Sequence, residues 1–134
     1  RETGLLASWV QQASFAPPMI TVAVNAKRYL HGWFETAPMV GLNLIAEGQK
    51  ELLKHFGAGF EPGEPAFEGV PVTRGVTGVP LLRDALGGLE GMIVGQLTTG
   101  DHVIYAVEVT AALAGPMLGV ATPWVHLRKN GLKY

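Results

Sequence analysis

Two long β-patterned runs, Leu89 to Leu97 and His102 to Leu113, stand on either side of Thr99-Gly100-Asp101. In the second run Val103, Tyr105, Val107 and Val109 alternate with Ile104, Ala106, Glu108 and Thr110, although Ile104 and Ala106 blur the pattern. A period of two is what a strand with one face in a core requires. A Gly-Asp turn between two such runs predicts an antiparallel hairpin. A lone hairpin cannot bury its apolar face, so the rest of the chain has to supply further strands.

It does so. Leu5 to Phe15 and Met19 to Asn25 read as two strands around the Pro17-Pro18 corner, and Ile20 to Val24 is β-branched and nearly continuously apolar. Asn25 to Arg28 form a polar turn. Further strands are expected at Gly41 to Ala46, Val70 to Arg74 and Trp124 to Leu127, the last entering a tight turn at Asn130-Gly131. Pro80 to Leu86 fits either a strand or one helical turn. Gln49 to Phe56 is the best helix: Leu52, Leu53 and Phe56 share a face and Gly57 stands where a C-terminal glycine belongs. A second short helix, interrupted by Pro38, is expected within Glu35 to Val40. Eighteen glycines and nine prolines supply the turns, and 134 residues suffice for one domain with a real core. Many strands with one or two short helices predict a mainly β fold, a small β-barrel with short helices rather than a doubly wound α/β sheet.

Composition removes several function classes. A net charge of −1, with Lys and Arg scattered, gives no footprint for nucleic acid or an anionic membrane. The absence of cysteine excludes disulfides, thiolate catalysis and thiolate metal sites. His31, His55, His102 and His126 lie far apart with no His-Glu-x-x-His spacing, so no metal site is expected. No Gly-x-Ser-x-Gly elbow exists. Gly57-Ala58-Gly59 begins a dinucleotide-like pattern, but Pro62 stands where its third glycine belongs and a helix precedes it. The uncharged stretch from Val109 to Val125 is broken by Pro116, Pro123 and two glycines, a poor membrane span. The chain opens Arg1-Glu2-Thr3-Gly4 without a methionine or a signal-peptide pattern, and reads as a fragment of a longer polypeptide.

The segment Ala7 to Pro18 carries the chemistry. Ser8, Ser14 and Gln12 offer hydrogen-bonding groups, Trp9 and Phe15 can shield a ring face, and Ala7 and Ala13 leave room for a ring against the backbone. A protein holding a planar cofactor against a sheet needs this mixture, and an edge strand with surface serines has it too.

The run from Gly4 to Val24, GLLASWVQQASFAPPMITVAV, resembles the opening of flavin reductase-like, FMN-binding split-barrel domains. GLNLIAEG at 41–48, GDH at 100–102 and HLRKNGLKY at 126–134 agree with the family in the same order. The chain resembles in particular the C-terminal flavin reductase-like domain of flavodiiron proteins from oxygenic phototrophs. The resemblance implies a Greek-key split barrel that commonly forms a homodimer, with FMN, or FAD in its place, held in a groove near the subunit interface. It further implies NAD(P)H as electron donor for flavin reduction, and diiron and flavodoxin-like domains upstream in an oxygen-reducing parent chain. The compartment would be the cytoplasm, or the chloroplast stroma in a plant or alga. The family carries one more strand before the one containing Ala7, Ser8 and Trp9, so residues 1–134 are expected to lack the first strand.

By the same resemblance Ser8, Trp9, Gln12, Ala13, Ser14 and Phe15 would line the flavin. Lys27 and Arg28 follow the second strand, where related domains bind phosphate. Asn43, an amide in an apolar strand, would contact flavin or satisfy backbone groups. His102 would stand near flavin or nicotinamide as the catalytic residue, and His126 and Arg128 would approach the cofactor or a partner subunit. Hydride transfer needs no strong acid or base, so no catalytic dyad is expected. The alternative is a flavin-binding electron-transfer or dimerisation domain without independent catalysis.

Overall fold

The computed structural model describes residues 1–127. The long hairpin forms as its period predicts: β6 (Gly87–Thr98) and β7 (His102–Ala114), numbered in chain order, pair antiparallel along nearly their whole length. Around the proline corner, β1 (Val10–Phe15) and β2 (Pro18–Asn25) form a second hairpin, with a cis peptide at Ala16-Pro17. β3 (Met39–Leu44) closes the other side, giving a five-stranded sheet in the order β1-β2-β7-β6-β3. The neighbours β2–β7 and β3–β6 are distant in sequence, as in a Greek-key connection. β4 (Val72–Arg74) and β5 (Pro80–Leu82) make a separate two-stranded ladder, and β5 packs against β3 and β6.

Three bulges curl the sheet. Ala13 is the extra residue in β1, Thr110 in β7 and Val94 in β6; each adds local twist and bends its strand, which is how an antiparallel sheet turns toward a barrel.

Among the described residues, two helices accompany the strands. α1 (Leu30–Thr36) lies earlier than the helix expected at Glu35 to Val40, and Pro38 follows it instead of interrupting it. A seven-residue helix containing glycine cannot stand alone, and tertiary contacts hold this one. Leu30 is buried, and Phe34 meets the Tyr105 ring edge-on at 4.8 Å. Tyr105 also hydrogen-bonds His31 Nδ1, while His31 Nε2 donates to the Asn25 carbonyl at 2.9 Å. Because a carbonyl only accepts, the proton sits on Nε2, and the Tyr105 hydroxyl donates to Nδ1. Burial, with a smaller contribution from the Glu35 charge, pushes the Tyr105 phenol up. α2 (Lys50–Gly57) matches the expected helix, but Gly57 is its last residue, and the left-handed backbone comes at Gly59 with φ 77°. Phe56 packs with Phe60 and Phe67 over Leu82 and Ala85.

The expected strand at Trp124 to Leu127 is absent among the described residues. An isolated bridge, Ala46 to Pro123, stands in its place, with Trp124 N–H donating to Ile45 O at 2.8 Å. Pro123 cannot donate to a ladder, so pairing stops at that touch. The expected turn at Asn130-Gly131, together with Arg128, lies outside the described residues.

Among the described residues, Glu90 is the buried acid, 3% exposed. Its carboxylate accepts the Val76 and Thr77 N–H groups at 2.9 and 2.7 Å and the Thr77 hydroxyl at 2.8 Å, pinning the β4–β5 turn to β6. The Thr77 backbone bond first, then the Thr77 hydroxyl and Val76 N–H, hold the carboxyl below the usual glutamate value against the opposing effect of burial. A lowered folded-state value stabilises the fold above the unfolded-state pKa, and that contribution is lost as pH falls through the folded value. Glu90→Gln is therefore expected to be less stable than wild type at pH 7, with the gap narrowing toward pH 3. Urea denaturation at the two pH values measures it, and a gap that widens in acid would contradict the assignment.

Candidate functional site

The register decides which β1 side chains share a face. Val10 pairs with Val22 and Gln12 with Ile20, on the side of Tyr105 and Val107. Gln11 pairs with Thr21, and Thr21 with Ala106, on the opposite side. Ala23 pairs with Ile104 and Asn25 with His102, on that same second face. Just before β1, Trp9 continues the pairing, its carbonyl accepting the Ala23 N–H at 3.0 Å.

An open groove of about 370 Å³ lies there, lined by Trp9, Gln11, Thr21, Ala23 and Ile104, and bordered along the β1 edge by Ser8 and by Val10, whose register belongs to the other face. At its end the Trp9 and His102 rings meet with centroids 4.5 Å apart and planes tilted by 36°. His102 Nδ1 bonds Asp101 Oδ1 at 2.7 Å, with the His102 side chain only 12% exposed and that of Asp101 91% exposed. The hydrogen bond from His102 and its attraction, with a smaller contribution from Lys27, hold the Asp101 carboxyl below its usual range. A carboxylate only accepts, so Nδ1 carries a proton. The turn that presents His102 is fixed by Thr99, whose N–H and hydroxyl both donate to the His102 carbonyl at 2.9 and 2.8 Å, and by Ala26 N–H to Asp101 O at 2.9 Å.

The residues singled out from sequence divide accordingly. Ser8 and Trp9 line the groove, His102 meets the Trp9 ring beside it, and the Lys27 charge acts weakly on Asp101. Gln12 faces the other side of the sheet, Ala13 is the bulge residue, and Ser14 and Phe15 follow it toward the proline corner, opposite Met19 and Pro18. Phe15 is 87% exposed. Arg28 turns its guanidinium toward Gly59. Asn43 is on β3, at the far edge of the sheet, where its Oδ1 accepts the Leu82 N–H at 2.8 Å and ties β5 to the sheet. His126 is exposed beyond the Ala46–Pro123 bridge. Gln11, Thr21, Ala23 and Ile104 escaped the sequence reading. The signal for Ile104 was present, because an apolar side chain on the supposedly polar face of β7 is what blurred the alternation.

A planar, partly polar ligand suits this arrangement. Ala23 keeps the floor low, Ile104 and Trp9 give apolar contact, and Ser8, Gln11 and Thr21 give hydrogen-bonding groups. The groove has the volume for a ring system and is open for the remainder of a nucleotide to leave it.

The flavin reductase like domain family matches residues 1–130. Diflavin flavoprotein A 1 of Synechocystis sp. is 38% identical over 131 residues, covering 97% of this chain and 22% of its own length, so the chain spans about a fifth of that relative. The NADH:FAD oxidoreductase SgcE6 of Streptomyces globisporus superposes with a TM-score of 0.80 at 26% identity, covering 89% of this chain and 70% of that one. The FMN-binding protein of Thermus thermophilus superposes at 0.77 with 26% identity, covering 92% and 73%. The mainly β fold is thus a flavin reductase split barrel.

Proposed function

The chain belongs to the flavin reductase like domain family, and we propose that it is an NAD(P)H:flavin oxidoreductase module that holds FMN, or FAD, in the groove over β1, β2 and β7. The observation that carries this reading is the Trp9–His102 ring pair at the end of a groove whose walls mix amide, hydroxyl and apolar groups. Bound flavin would supply the redox chemistry, accepting a hydride from nicotinamide. The chain's own work is binding and orientation. Trp9 and Ile104 exclude water from one side of the ring, and Ser8, Gln11 and Thr21 fix its rotation in the groove. His102, its Nδ1 proton engaged by Asp101, would offer its other ring nitrogen to the ligands as a hydrogen-bonding group. Lys27 supplies positive charge for a phosphate at that end. Supporting this reading, relatives carry the names of NADH:FAD oxidoreductases and FMN-binding proteins.

In the parent chain, the module would exchange electrons with diiron and flavodoxin-like domains and pair with a second copy. Among the described residues, no helix is long and apolar enough to cross a membrane. Mixed anaerobically with FMN, the protein is expected to retain a visible flavin band that NADH or NADPH bleaches. Retention without bleaching would favour a non-catalytic electron-transfer domain, and no retention at high added FMN would end both readings.

A further inference from the structure

We propose that Gln11 reads the pyrimidine edge of the flavin and sets its orientation in the groove, a role that rests on the groove being the flavin site. The sheet register places Gln11, not Gln12, on the groove face, opposite Thr21. Three other amides of this protein are engaged by the fold. Gln49 accepts from Ala46 N–H at 2.7 Å and donates to Asp84 O at 2.6 Å, Asn43 accepts from Leu82 N–H, and Asn25 accepts from Lys27 N–H. The Gln11 side chain is exposed and, among the described residues, has no hydrogen-bond partner.

The chemistry of the two edges matches. The pyrimidine edge of an isoalloxazine presents a carbonyl, an N3–H and a second carbonyl, an acceptor–donor–acceptor series. A primary amide answers N3–H with its oxygen and one flanking carbonyl with its nitrogen. The Thr21 hydroxyl, directly across from Gln11, is placed to answer the other carbonyl. Small rings without this edge would gain only the apolar contacts of Trp9 and Ile104. A nicotinamide carboxamide offers the same donor and acceptor pair, so the test must separate the two ligands.

Flavin binding by the full chain, followed by flavin fluorescence without any nicotinamide nucleotide, makes that separation. The probes are FMN and N3-methyl-FMN, which lacks the donor. Wild type is expected to bind N3-methyl-FMN at least about tenfold more weakly, the factor one unmet hydrogen bond produces. Gln11→Ala and Gln11→Met, the latter of similar length, are expected to bind both flavins alike, at about the wild-type affinity for N3-methyl-FMN. Gln12→Ala should keep the wild-type discrimination. Discrimination surviving in both Gln11 variants, or lost in Gln12→Ala, would overturn the assignment while leaving the groove as flavin site. A Gln11 variant that raises KM for the nicotinamide nucleotide with its flavin discrimination intact would assign the amide to the other ligand and overturn it equally. Wild type binding neither flavin would overturn the functional reading itself, and this inference with it.

Discussion

Ala23→Trp is expected to abolish flavin binding while leaving the domain folded. Ala23 sits in the middle of β2, its side chain on the groove face beside Ile104 and next to the stretch whose Trp9 carbonyl its own N–H engages. An indole there occupies the floor of a groove of about 370 Å³ and denies a ring system its approach. Because the side chain, half-buried, lines the open groove and is not part of the buried core, the strand can carry the larger group, and β2 keeps its ladders to β1 and β7. The FMN dissociation constant should rise at least about a hundredfold, equivalent to about 2.7 kcal/mol, with the circular dichroism spectrum unchanged. An unchanged dissociation constant in a folded Ala23→Trp protein would move the flavin site elsewhere.

The second large effect is on the fold. Gly91 on β6 pairs with Val109, one step from the Thr110 bulge, and it is buried. A Cβ at this position would overlap the Glu108 carbonyl oxygen and lie 2.8 Å from Val107 Cγ1. The obstacle is backbone of the neighbouring strand, which no rotamer change can move, so β6 and β7 would have to separate at the centre of the sheet. Gly91→Ala should cost at least about 3 kcal/mol, the upper part of the usual overpacking range, out of a typical domain stability of about 5–15 kcal/mol. Gly95, on the same strand, has open space where its Cβ would go. Gly95→Ala is expected to unfold within about 0.5 kcal/mol of wild type, as surface substitutions usually do. Urea melts of the two variants check both, and equal midpoints would show that the close approach at Gly91 is not required.

The long strands with the strongest β pattern were the most legible in sequence, because β-branched and apolar runs bounded by turn residues leave few other readings. β2, β6 and β7 lie where their patterns put them, with Val24, Tyr105 and Val107 buried. α1 was not legible, because its stability comes from His31 and Phe34 meeting Tyr105, seventy-odd residues away in the chain, and not from its own propensity. The face that each β1 side chain takes was not legible for a related reason. A run of small and amide residues has no strong period, so only pairing with Thr21 and Ile20 distinguishes Gln11 from Gln12. The Ala13 bulge then shifts the residues after it, which no local pattern announces. Trp9 and His102 were both identifiable from the family resemblance, but their contact follows from β2 lying between β1 and β7. Asn43 had two open roles, and the structure gives its oxygen to Leu82.

The central claim is that flavin occupies the β1-β2-β7 groove, and a backbone amide NMR titration of the isotopically labelled protein with FMN tests it most directly. The largest shifts should fall at Ser8 to Gln11, Thr21 to Ala23 and His102 to Ile104, with little change along α2 or the β4–β5 ladder. Shifts centred on α2 or the β4–β5 ladder, with the groove amides unmoved, would contradict the claim.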